Sequence, residues 1–178
     1  FMAGLLLSGA VIMGELYPFG ISYLAAVCIY EKHLRKAALL GVAAGSFLAV
    51  EGSVLVSYLA GYVLIFLILC RYQKKENHWL ILPVLVLAIN LLTRGFPILS
   101  VENGLYRWVG VIFESIFSGV LCLVCITGLH ALPKLKRGYM LNPEERTSLG
   151  IILLGSIIGV GRYSFFQLSM QSVLSRCL

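Results

Sequence analysis

Apolar blocks of a dozen or more residues follow one another along this chain, each cut off by a short polar break. That pattern restricts the choice of solvent before any motif is considered. A soluble domain covers its surface with about 25% charged residues. Here 12% of 178 residues are charged and 60% are hydrophobic. So little charge cannot cover a water-facing globule, and lipid must be the solvent for much of the surface. The fold class this predicts is all-α, a polytopic transmembrane helical bundle with about seven membrane segments.

The blocks predict helices over residues 2–13, 19–30, 36–50, 53–70, 79–93, 105–132 and 147–161, with an amphipathic segment at 164–178. Pro18 removes a backbone donor and disfavours helix at Tyr17, so a tight turn is expected between the first two segments. A single kinked helix is the alternative there. Asn142-Pro143-Glu144-Glu145 reads as a helix start, with a capping residue, Pro at the first position and acids in the first turn. Gly159-Val160-Gly161-Arg162 reads as a break. The stretch opens and closes inside apolar runs, as a piece of a longer chain would.

Charge in the breaks sets an orientation. Residues 31–36 carry Lys32, Arg35 and Lys36, residues 71–78 carry Arg71, Lys74 and Lys75, and residues 133–147 carry Lys134, Lys136, Arg137 and Arg146. The breaks between them hold Arg94 alone or no cation at all. Basic breaks lie on the cytoplasmic side. The excess of 14 Lys+Arg over 8 Asp+Glu therefore reads as orienting charge, with no nucleic-acid partner. Glu15, Glu51 and Glu102 fall at the outer face as solvated acids. His33 and His78 fall in the basic loops, and His130 near a helix end where a dipole contact is cheap.

Little in the sequence points to catalysis. The three histidines are far apart, and Cys122 and Cys125 form a CxxC without a second pair, so helix packing is the better reading of both cysteines. All eight acids are Glu, which removes most carboxylate-cluster hydrolase designs. No catalytic residue, no cofactor-binding residue and no metal ligand is assigned, and no metal-dependent turnover is expected from this stretch. Glu114 is the sharpest polar candidate. It lies about nine residues, or roughly 14 Å, from the start of its helix. A Glu at that depth must be protonated, paired or turned to a polar cavity. Arg94 and Arg107 are its candidate partners. It reads either as a packing contact or as a proton or ion relay. On the packing reading, Glu114→Gln is expected to be tolerated and Glu114→Leu to weaken folding. Gly41 and Gly45 form one GxxxG, and Gly155 and Gly159 another, each a candidate packing surface.

Three groups of residues, in order, carry a resemblance. The first is Gly14-Glu15-Leu16-Tyr17-Pro18-Phe19-Gly20, then Tyr23 to Val27 and the basic loop Glu31 to Lys36. The second is Thr93-Arg94-Gly95-Phe96, then Asn103-Gly104 and Glu114. The third is Leu132-Pro133 followed by a basic loop and Glu144-Glu145. Together they resemble the N-terminal membrane domain of the stage II sporulation protein E family, with Gly14, Glu15, Pro18 and Phe19 as its turn motif.

The resemblance implies about ten membrane helices, of which this stretch would hold roughly the first seven. It further implies a cytoplasmic region that meets a tubulin-like division protein. Last would come a Mn²⁺- or Mg²⁺-dependent phosphatase of the PP2C type. That enzyme would act on an anti-sigma-factor antagonist and switch on the first forespore sigma factor. On this view the stretch needs no cofactor. It is a multi-pass anchor in the bacterial cell membrane that self-associates and places the enzyme at the division septum. The alternative is a small secondary transporter or channel-like protein, with Glu114 and the Arg94–Glu102 region lining a polar path.

Overall fold

The computed structural model describes residues 1–12, 16–50, 52, 54–71, 78–100 and 105–177, with backbone alone at 78–80, 99, 100, 105 and 162–177. Seven α-helices account for most of these residues: α1 (Met2–Ser8), α2 (Pro18–Tyr30), α3 (Arg35–Ala49), α4 (Val54–Arg71), α5 (His78–Gly95), α6 (Leu105–Lys136) and α7 (Pro143–Cys177). Short 3₁₀ turns at Lys32–Leu34 and Phe96–Ser100 extend the α2–α3 and α5–α6 connections. Among the described residues there is no strand, only one antiparallel bridge between Ile12 and Leu16.

Three apolar stretches are long enough to cross a bilayer among the described residues: Val54–Arg71, Ile81–Ile98 and Tyr106–Lys136. The expectation of about seven membrane segments is therefore met only in part. A 30 Å core asks for about 20 helical residues. By that measure α2 and α3, with 13 and 15 residues, fall short. The 7-residue α1 rises only about 10 Å.

The centre of the bundle is α2, buried along most of its length from Pro18 to Cys28. It lies parallel to α6, as three contacts climbing both helices in step show. The Tyr17 N–H meets Glu114, the Ser22 hydroxyl bonds the Ser118 carbonyl at 2.7 Å, and the Tyr30 ring packs on His130 with centroids 5.0 Å apart. Helix α6 packs on α5 and α7 as well.

The first helix stops at Ser8 instead of running to Met13. The Ser8 hydroxyl bonds the Leu5 carbonyl, and the Gly9 and Ala10 N–H groups tighten onto Leu6 and Leu7. The chain then doubles back, with Ile12 and Leu16 exchanging hydrogen bonds of 2.9 and 3.1 Å. The described residues on either side of this turn pack into the protein, with Leu7, Ala10 and Tyr17 buried. Gly14 and Glu15 of the turn motif, with Glu51 and Glu102, lie outside the described residues.

Two further boundaries move. Helix α6 passes through Pro133 and ends at Lys136. Proline that late removes one helical bond, and a glycine cap holds the final turn. Gly138 has φ +74°, its N–H bonds Leu135, and the Tyr139 N–H bonds Lys134 at 3.1 Å. Helix α7 runs unbroken through Gly159 and Gly161, where a break was expected. Each glycine costs about 1 kcal/mol against Ala, but Gly159 allows a close approach to α1.

At the start of α7, the Glu145 carboxylate accepts the Asn142 N–H at 3.0 Å and pairs with Lys134 across the turn at 2.5 Å. This is half of a capping box. The Lys134 bond and the Asn142 N–H hold the Glu145 carboxyl below the ordinary carboxylate range. A depressed pKa gives stability that is present above the unfolded value and lost as pH falls through the folded one. On acidification, the native protein is expected to lose more thermal stability than Glu145→Gln does. Parallel acid titrations of the two would refute this coupling.

Candidate functional site

The polar residues that membrane burial makes most expensive converge at one end of the bundle. Glu114 is 0% exposed, yet it carries a carboxylate. The Arg94 guanidinium binds one of its oxygens through Nε at 3.2 Å and Nη2 at 3.0 Å. The other oxygen accepts the Tyr17 N–H at 3.1 Å and the Tyr58 hydroxyl. Four donor atoms thus surround one carboxylate, one from the start of α2, one from α4 and two from α5.

Local structure delivers each donor. Tyr17 is the N-cap residue of α2, with Pro18 at the first helical position. Its N–H therefore has no partner in its own helix, and the carboxylate also sits where the positive end of the α2 dipole favours an anion. Arg94 lies in the last turn of α5, which ends at Gly95, two residues beyond the helix end expected at Thr93. Its guanidinium also stacks 4.2 Å above the Tyr58 ring, and Tyr58 meets Tyr17 edge-on at 5.6 Å. The Tyr17 hydroxyl bonds the Ala49 carbonyl at the end of α3, so the same cluster reaches a fifth helix.

A second layer lies one turn deeper. The Ser118 hydroxyl bonds the Glu114 carbonyl at 2.8 Å and receives the Asn90 amide at 3.1 Å. The Ser46 and Tyr62 hydroxyls meet at 2.8 Å between α3 and α4. These contacts pin the depth of each helix against its neighbours.

Of the two arginines considered as partners, only Arg94 reaches Glu114; Arg107 is exposed on the first turn of α6. Pro18 and Phe19 begin α2, and both are buried. The four packing glycines converge on one place. A methyl at Gly41 would land on the Phe1 carbonyl, at Gly45 on Ser8 and the Leu5 carbonyl, and at Gly159 on the Leu6 carbonyl. At Gly155 it would come within 2.9 Å of the Phe19 ring. Both GxxxG stripes thus receive α1, one from α3 and one from α7. Tyr17, Tyr58, Asn90 and Ser118 are the residues sequence reasoning missed. Asn90 alone had a signal, as the one amide inside its apolar block.

Chemically the cluster offers a neutral, fully bonded ion pair, with all four hydrogen bonds to the carboxylate already made. Among the described residues no group of three or more His, Cys or Glu could hold a metal ion. Cys28, Cys122 and Cys125 are free and buried in the core.

No curated protein and no solved structure matches the chain significantly. A protein-family model, described as the SpoIIE N-terminal domain, does match, over residues 1–178. The chain therefore belongs to the SpoIIE N-terminal domain family and is a membrane region of the sporulation type.

Proposed function

We propose that residues 1–178 are the membrane anchor and localisation module of a sporulation phosphatase, and that they assist its self-association. The observation that carries this reading is a belt of large apolar side chains left on the outside of the bundle. Phe47 on α3 is 71% exposed, and Leu67 on α4, Leu92 on α5, Phe113 on α6 and Leu154 on α7 join it. So much exposed apolar surface calls for lipid. Inside that belt the buried Glu114 carboxylate is fully paired, as a structural contact requires and an open ion path does not.

Helices α2 to α7 would cross the membrane, with α1 reaching part of the way. The short α2 has no need to match the bilayer, because protein surrounds it. The Glu114 cluster would lie toward the outer face and the basic ends of α4 and α6 toward the cytoplasm. Cytoplasmic parts outside this stretch would meet the tubulin-like division protein and, through a metal-dependent phosphatase, the anti-sigma-factor antagonist.

A fluorescent reporter fused after Leu178 tests the proposal. In sporulating cells the fusion should stay in the carbonate-resistant membrane fraction and gather at the septum. A soluble fusion would refute the anchor, and an even distribution round the cell would refute the localising role. Cysteines introduced singly into a cysteine-free background should be labelled from outside at Gly52 and not at Lys136.

A further inference from the structure

The inner end of α6 has a feature that anchoring does not require. Lys136 and Arg137 are exposed, and among the described residues neither has a carboxylate within ion-pair distance. Apolar side chains are interleaved with them. Leu135 and Tyr139 are more than half exposed, and Met140 is 98% exposed. The segment is held firmly all the same. The positive φ of Gly138 closes the helix cap, and the Lys134–Glu145 pair ties the turn to α7. Lys32 and Lys36 lie at the same end of the bundle, since the Tyr30 ring beside them packs on His130, less than two turns before Lys136.

We infer that this turn is a docking surface for anionic phospholipid headgroups. The inference rests on the membrane reading above and adds a preference among lipids. Cations next to exposed apolar groups, directly continuous with a membrane-spanning helix, match both parts of a phospholipid. The phosphate meets Lys136 and Arg137, while Leu135, Tyr139 and Met140 enter the acyl boundary. A free anion would use only the charges and leave three large apolar side chains in water. A zwitterionic lipid brings its own cation to the site, and the two basic residues repel it.

Binding of fluorescent phosphatidylglycerol and phosphatidylcholine to the protein in a neutral detergent tests this. Phosphatidylglycerol should bind about tenfold more tightly or better, since each basic residue near such a surface is worth about one kcal/mol. The Lys136→Gln/Arg137→Gln double variant should lose at least roughly tenfold of that preference. Arg107→Gln, at the far end of the same helix, should lose none. For the native protein, added salt should weaken phosphatidylglycerol binding and leave phosphatidylcholine binding unchanged, which keeps the test valid should the double variant misfold. Equal binding of the two lipids, or an undiminished preference in a folded double variant, overturns the proposal. Displacement by inorganic phosphate at matched concentration also overturns it, in favour of a soluble anion. None of these failures would move the reporter fusion out of the membrane fraction, so the anchor reading stands or falls separately.

Discussion

Glu114→Leu should destabilise the domain by about 3–5 kcal/mol, the range for removing one partner of a buried ion pair. The substitution takes the Glu114 acceptor from the Arg94 guanidinium, the Tyr58 hydroxyl and the Tyr17 N–H, of which Tyr17 and Tyr58 are buried and Arg94 largely so. Glu114→Gln should also destabilise, contrary to the tolerance expected from sequence. A carboxylate offers acceptors on both oxygens, whereas a carboxamide offers one oxygen and a donating nitrogen. If the amide oxygen faces Arg94, its nitrogen meets the Tyr17 N–H, which cannot turn away. The Tyr58 hydroxyl can rotate and accept, so the cost should be that of one unsatisfied buried donor, about 1–3 kcal/mol. Denaturation in detergent micelles gives the order directly: native above Gln above Leu. A Gln variant as stable as the native protein would remove the structural account. A folded, inserted Gln variant that has lost function would restore the proton-relay reading.

The second large effect is expected at Gly45. Even Gly45→Ala puts a methyl onto the Leu5 carbonyl and Ser8, so α1 must move away from α3. Overpacking of this kind costs about 1–3 kcal/mol, and more where backbone must shift. Gly159→Ala should behave alike from the other side, because its methyl meets the Leu6 carbonyl. Gly150→Ala is the control, for that glycine has open space around it. On helix propensity alone it should be neutral or stabilising by up to about 1 kcal/mol. Melting temperatures of the three variants decide the matter. If Gly45→Ala melts with the native protein, the two glycine stripes do not hold α1.

The ease of reading each feature from sequence follows its physical origin. Helical class and membrane character come from composition and block length, which are properties of the chain itself. Glu114 could be singled out because a carboxylate in an apolar helix must find donors. Arg94 was within reach because it precedes Glu114 across a single turn. Tyr17 and Tyr58 could not be found that way. One gives a backbone N–H, which every residue but proline has, and the other resembles any tyrosine in an apolar block. Helix ends were least legible where tertiary contacts outweigh local propensity. Pro133 sits inside α6 because the Gly138 cap and the Lys134–Glu145 pair hold the turn beyond it. Gly159 and Gly161 sit inside α7, and Gly159 is where the helix touches α1. Helix length is the poorer guide to crossings, because a helix wrapped in protein, as α2 is, needs no match to bilayer thickness.

The bond from the Tyr17 N–H to Glu114 joins residues 97 positions apart. A ribosome makes the turn before α2 long before it makes the acceptor that turn requires. While α3, α4 and α5 are being made, the start of α2 lacks the carboxylate that its N–H bonds in the finished fold. Arg94, inserted with α5, likewise waits for the carboxylate of the next helix. The start of α2, made before α3, α4 and α5, thus reaches its final packing only with α6, whose arrival also supplies the partner of Arg94.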